Sequence, residues 1–197
     1  MAIEQQTFDY LMHKLDYLAP IPSSFKENLK LVLSEEYTKA GTHILNNREI
    51  QKKIWLIISG TAREYTTQEG SKYEHTKWFW FENDIVYTEP GFFTQQPAQS
   101  YIEILEDSHL VYIDFQNFQS LKKAYPELEL LLEQIREHSK RSATRYLDDL
   151  RILSATERYQ QLFKAHPKLF NIAKQKDIAY FLGISPDTLG RLRKSEF

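Results

Sequence analysis

The chain contains no cysteine. That excludes disulfides, zinc–thiolate centres and cysteine-ligated iron–sulfur clusters. No apolar run approaches the roughly 20 residues that span a bilayer. The first residues, MAIEQQTFDYLMHKLDYL, lack a charged leading segment and a small-residue cleavage site, so they do not read as a signal peptide. A cytoplasmic protein without membrane contact is the expectation. The six histidines (13, 43, 75, 109, 138, 166) stand apart, with no H-x-H pattern. No catalytic residue, metal site or cofactor is therefore assigned, and each histidine is expected to be an ordinary surface or core residue. There is no internal repeat and no low-complexity segment.

What is present is aromatic and unevenly charged. Hydrophobic residues make up 42% and aromatic residues 14% of 197 positions, enough for one or two compact domains with a core. The net charge of −2 conceals a division. Residues 1–139 hold 13 Lys/Arg against 21 Asp/Glu, and residues 140–197 hold 12 against 6. A basic module that meets a polyanion, joined to an acidic module with another task, accounts for this asymmetry.

The hydrophobic period changes twice along the chain. Phe8, Leu11, Leu15 and Leu18 share one face of a helix that Pro20 and Pro22 end. Ser24 and Glu27 predict a capping box for a short helix carrying Phe25 and Leu29. From about Tyr37 to Phe115 the pattern is alternating or short and apolar: THILN, IWLIIS, TAREYTT, KYEHTKWFWF, IVYT, SYIEIL and HLVYID, with QEGSK (68–72) as a turn. About eight strands without an intervening long helix predict an antiparallel jelly roll or barrel. From Pro126 the 3.6-residue period returns through Leu153. Its stripe contains Leu128, Leu131 or Leu132, Ile135, Ser139, Ser142 or Ala143, Tyr146 and Leu150. The length and the small central residues predict a dimerisation helix. Tyr159, Leu162 and Phe163 mark the inner face of a further helix, which Pro167 interrupts. The expected organisation is α+β: 1–124, a β-roll with N-terminal helices; 125–153, a central helix with a hinge near Leu153–Ser154; 154–197, a basic helical domain.

The stretch QKDIAYFLGISPDTLGRLRK (175–194) carries the most specific pattern. Ile178, Ala179 and Leu182 suit the inner face of a first helix, and Gly183 a sharp turn. Ser185 suits an N-cap, Pro186 the first helical position, and Leu189 with Leu192 the inner face of a second helix. Pro186, Asp187, Gly190, Arg191, Arg193 and Lys194 remain outside. This is the layout of a helix-turn-helix, whose second helix enters the major groove of double-stranded DNA. Arg191 is suited to guanine and Asp187 to cytosine N4. Ser185, Thr188, Lys174 and Lys176 are suited to phosphates.

The order of modules resembles the cyclic-AMP receptor/FNR (CRP/FNR) family of bacterial transcription regulators. The resemblance rests on GTHIL…IWLIISGTAREY, on NDIV, on IEILEDSHLVYI and on QKDIAYFLGISPDTLGRLR. It implies a parallel homodimer through the central helix, a palindromic operator, an effector pocket in the β-roll and RNA polymerase as a further partner. The base readers it implies fall on Pro186, Asp187 and Arg191. At the positions that hold ribose and phosphate in cyclic-AMP binders stand Tyr87–Thr88 and Ala98–Gln99, and Arg63 is the nearby arginine candidate. Thr144 follows Ala143 where the central helix would touch the base. A buried phosphate needs a cationic or multi-donor partner. Cyclic AMP is therefore not the expected ligand, and another small ligand is left open. Two readings of the aromatic segment 78–101 stand: a pocket for a flat or apolar ligand, or large side chains filling a lost pocket. The segment KAHPKLFNIAK is short, so the β-wing common in the family is expected to be reduced or absent. A cupin-like barrel enzyme, and an interaction module with a vestigial helix-turn-helix, are the alternatives.

Overall fold

A computed structural model describes residues 1–18, 22–67, 73–126 and 128–195. Pro20, the 68–72 turn, Glu127 and Phe197 lie outside the described residues, as does the side chain of Leu18. The N-terminal helix α1 (Gln5–Leu18) buries Phe8, Leu11, Met12 and Leu15, the spacing of one helical face. Helix α2 (Ser23–Val32) buries Phe25 and Leu29. The expected Ser24–Glu27 capping box is not formed. Pro22 occupies the N-cap position, so Ser24 already lies inside the helix. Its carbonyl accepts from Asn28 Nδ2 and from the Tyr125 hydroxyl.

Eight strands follow among the described residues: β1 (Ser34–Thr38), β2 (His43–Leu45), β3 (Lys53–Ser59), β4 (Ala62–Thr67), β5 (Glu74–Trp80), β6 (Ile85–Val86), β7 (Tyr101–Ile104) and β8 (Ser108–Asp114). They form two antiparallel four-stranded sheets, β1–β8–β3–β6 and β2–β7–β4–β5. The period-2 alternation assigns the faces. Trp55, Ile57, Ala62, Ile102, Ile104 and Leu110 point into the roll and form its core with Leu45, Val86 and Ala98. Leu56, Val111 and Ile113 point outward from the first sheet and pack under α1 and α2. Gly60 closes the turn between β3 and β4 at φ +117°, and a Cβ there would lie 1.9 Å from Ser108 Oγ, so only glycine fits.

Helix α3 (Phe115–Ala124) leaves β8 directly and was not anticipated by the strand pattern. Asp114 is its N-cap and accepts from the Asn117 amide at 2.9 Å, while Phe118 and Leu121 are buried. Helix α4 (Leu128–Ile152) runs 25 residues. Its first half buries Leu128, Leu131, Leu132 and Ile135 in the same cluster as α1 and the outer sheet face. Half of the stripe expected to form a dimer seam is thus covered by the chain itself.

The basic region folds into α5 (Ala155–Ala165), α6 (Leu169–Ile172), α7 (Gln175–Phe181) and α8 (Pro186–Ser195). The break between α4 and α5 falls at Leu153–Ser154, where Ser154 and Glu157 form a reciprocal capping box. Phe163, expected inside, is 38% exposed, whereas Tyr159 and Leu162 are buried. Among the described residues no strand follows β8, and no helix is long and apolar enough to cross a membrane.

Candidate nucleic-acid interface and effector region

Helices α7 and α8 are joined by a turn built as their sequence requires. Gly183 takes φ +64°, and the Ile184 amide donates to Ala179 O at 3.0 Å, closing the turn against the first helix. Ile178, Ala179 and Leu189 are fully buried and Leu182 nearly so. Ser185 caps α8, its Oγ accepting from the Thr188 amide at 3.1 Å. The outer side of α8 then presents Pro186, Asp187, Arg191, Arg193 and Lys194 to solvent, with Ser185 at its edge. Arg191 Nη2 rests on Thr188 Oγ1 at 3.2 Å, leaving its other guanidinium donors outward. Thr188 is half-buried and bonded to Ser185 Oγ. Gly190, expected outside, is half-buried beneath Gln175, whose Nε2 donates to Pro186 O at 3.1 Å. Lys174 is exposed at the start of α7. Lys176 is exposed too, but its Nζ lies 3.8 Å from Glu74 of β5.

That last contact belongs to an ionic cluster the sequence reading did not foresee. Arg63 does not serve the interior of the roll. Its neighbour Ala62 faces inward, so Arg63 projects from the opposite face of β4 toward α7. Its side chain is fully buried and contacts Glu74 at 2.9 Å, Glu103 at 3.4 Å, Asp177 at 3.1 Å and Thr76 Oγ1 at 2.9 Å. Asp177, on α7, is 1% exposed, and its approach to Arg63 is ionic rather than a well-aligned hydrogen bond. Burial pushes the Asp177 carboxyl up, with Arg63 acting against it. Burial acts the same way on Glu74, but the Arg63 hydrogen bonds and charge outweigh it and hold that carboxyl below its usual range.

Apolar contacts reinforce the same junction. Phe79 and Phe81 of β5 and its following turn share a core cluster with Tyr159, Leu162, Phe170, Ile178 and Leu189. Phe79 meets Phe181 edge-on at 5.1 Å, and Phe81 stacks on His166. At the break after α4, Arg158 donates from Nε to Leu182 O at 2.9 Å and from Nη1 to Leu153 O at 2.5 Å. The Tyr146 hydroxyl donates to Phe181 O at 2.7 Å. The α7–α8 helix pair is therefore docked on the outer face of the second sheet through α7, with the outer side of α8 left open.

The residues expected to hold an effector divide into three groups. Tyr87 and Thr88 are buried together. Thr88 donates from its amide and hydroxyl to Gln51 Oε1 at 2.9 and 3.1 Å, and Gln51 is itself fully enclosed. Tyr87 lies in the outer cluster and meets Phe93 edge-on at 5.0 Å, and burial pushes its phenol up. Ala98 is buried in the roll interior, while Gln99 faces solvent. Thr144 is exposed on α4, and Arg63 is bound up at the α7 junction. Beside Ala98–Gln99, Ser100 Oγ donates at 2.8 Å to Glu64, a nearly buried carboxylate that also pairs with Lys77. Of the aromatic segment, Phe92 is core and Trp80 packs on the roll interior, whereas Trp78 points toward α4 and α7.

No family model and no curated protein matches this chain. Solved structures do. The cyclic-di-GMP-responsive global regulator CLP of Xanthomonas campestris superposes with a TM-score of 0.65 at 17% identity, over 88% of this chain and 91% of that one. FixK2 of Bradyrhizobium japonicum gives 0.66 at 17% identity, over 83% and 84%. The catabolite activator protein of Thermus thermophilus gives 0.53 at 19% identity, over 92% and 85%. Likeness at this level of identity is likeness of architecture, spanning the roll, the long helix and the C-terminal helices together. This chain has the CRP/FNR-like fold: an antiparallel jelly roll followed by a long helix and a helical C-terminal domain.

Proposed function

We propose that the protein is a homodimeric, DNA-binding transcription regulator acting in the cytoplasm, with a degenerate cyclic-nucleotide pocket. The observation that carries this is the exposed outer side of α8. Asp187 and Arg191 stand one helical turn apart beside a capped N-terminus, on a helix whose inner face packs on the core through buried Leu189 and half-buried Leu192. Free amides at such a terminus suit phosphate oxygens, Arg191 suits guanine and Asp187 suits cytosine. Ser185, Thr188, Lys174, Arg193 and Lys194 suit the flanking backbone, and Lys176 joins them if it leaves Glu74. The dimer seam is the outer face of α4, where Ala143, Thr144 and Leu147 are exposed. RNA polymerase is a further partner consistent with such a regulator.

The neighbouring protein CLP is described as responsive to cyclic di-GMP. Here Glu64 and Ser100 adjoin Ala98–Gln99, and Gln51 encloses Thr88. A carboxylate beside a phosphate is repulsive, and none of Tyr87, Thr88, Ala98 and Gln99 supplies a cation. Cyclic AMP is expected to leave the melting temperature unchanged, and a saturable rise would overturn the pocket reading. Selection of bound sequences from random DNA tests the function. The expected result is a palindrome with half-sites about one helical turn apart. Failure to enrich any sequence overturns DNA reading by α8.

A further inference from the structure

Between the second half of α4, α5 and the end of α7 lies an open cleft of about 620 Å³. It is separate from Tyr87, Thr88, Ala98 and Gln99, none of which lines it. Its apolar floor is aromatic. Trp78 meets Tyr146 and Phe181 edge-on at 5.5 and 5.9 Å, and those two rings stack at 4.9 Å. Its walls are cationic: Arg141 and Arg145, one turn apart on α4, and Arg158 on α5, against the single carboxylate Asp149. Arg158 is engaged by the carbonyls of Leu153 and Leu182. Arg141 donates only to the Glu137 carbonyl, and neither it nor Arg145 has a carboxylate partner among the described residues. The face of α4 that lines the cleft is opposite Ala143 and Leu147, so occupation of one leaves the other open.

A concave site with a ring-lined floor and unneutralised guanidinium groups complements one class of ligand. The aromatic surface accepts a flat apolar body, and the arginines accept a carboxylate, sulfonate or phosphate through charge-assisted hydrogen bonds. The volume falls within the range of small-molecule sites. We propose that this cleft binds a small organic anion built on a flat ring system, and that it is the effector site of the molecule. A ligand seated here touches α4 on one side of the Leu153–Ser154 break and α5 and α7 on the other. It therefore discriminates between arrangements of the helix-turn-helix. That regulatory meaning rests on the DNA-binding reading above. The site itself does not, and its test needs no DNA.

The probe is 1-anilinonaphthalene-8-sulfonate, an aromatic anion, titrated calorimetrically into the full chain, with uncharged N-phenyl-1-naphthylamine as its control. The expected result is one saturable site per chain. Affinity should fall about tenfold in Arg145→Gln and again in the Arg141→Gln/Arg145→Gln pair. It should be unchanged in Arg193→Gln on α8. Both replaced arginines are exposed, so folding should survive, as the melting temperature will report. The uncharged dye should bind more weakly and ignore the arginine changes, while Trp78→Ala should weaken both dyes. Retention of sulfonate affinity within about twofold by the double variant overturns the site, as does equal binding of the two dyes. A failed titration leaves the DNA selection untouched, and a failed selection leaves the titration untouched.

Discussion

Arg191 and Glu35 show how different demands fall on single side chains. Arg191 is exposed and lightly held by Thr188, so its loss leaves the fold intact and removes only what it touches on DNA. Arg191→Ala should weaken specific binding by about 1–3 kcal/mol and relax base preference at one position per half-site, read by competition binding on a randomised operator. Glu35 is the opposite case. It is 1% exposed and accepts from the Glu4 amide at 2.7 Å and from His109 at 2.8 Å. Burial pushes its carboxyl up, but these hydrogen bonds outweigh burial and leave it below its ordinary value. A depressed folded-state pKa stabilises above the unfolded value of about 4.3 and is lost as pH falls through the folded value. Urea midpoints should therefore fall on acidification below that range. Glu35→Gln should lower stability at neutral pH and flatten this acid dependence. An unchanged acid limb would remove Glu35 from the account.

At the scale of elements, the period of the hydrophobic residues carried most of the reading. Strand alternation between Lys53 and Asp114, and the helical stripes of α1 and α4, are local patterns that survive packing. The α7–α8 unit was legible for the same reason, since Gly183, Ser185 and Pro186 are local turn and cap signals. Gly183→Ala tests that unit. At φ +64° a Cβ is strained, and it would approach Leu150 Cδ2 to 3.1 Å. The change should cost about 1 kcal/mol or more, visible as a lower melting temperature and weaker DNA binding together. Local signals mislead where two of them compete. Ser24–Glu27 has the letters of a capping box, but Pro22 takes the cap position. Asp114 and Asn117 mark the start of helix α3, but its apolar residues continue those of β8, so the strand pattern runs on through it. Part of the α4 stripe faces its own roll rather than a second chain, because periodicity identifies an apolar face and not what covers it.

For the whole molecule, the consequential contact joins residues far apart in the chain. Asp177 stands beside Ile178 and Ala179 on the inner face of α7, and a charge there requires a partner. The partner, Arg63, is the arginine candidate nearest the effector region in the sequence, and in the structure it is the centre of a buried cluster with Glu74, Glu103 and Asp177. Removing one member of a buried pair leaves uncompensated charge. Arg63→Ala should cost about 3 kcal/mol or more and loosen α7 from β5, seen as faster amide exchange in α7 than in β3. Uniform destabilisation with no preferential opening of α7 would argue against a docking role.

Composition and period make the strands, the long helix and the turn between α7 and α8 legible, because propensity, alternation and capping act within a few residues. They also settle what cannot be there: without cysteine no thiolate centre exists. Which face of β4 Arg63 serves, where α7 rests and what lines the cleft behind Trp78 depend on strand register and on the meeting of elements distant in sequence. Burial and charge pairing at such meetings depend on three-dimensional proximity, which no local pattern encodes.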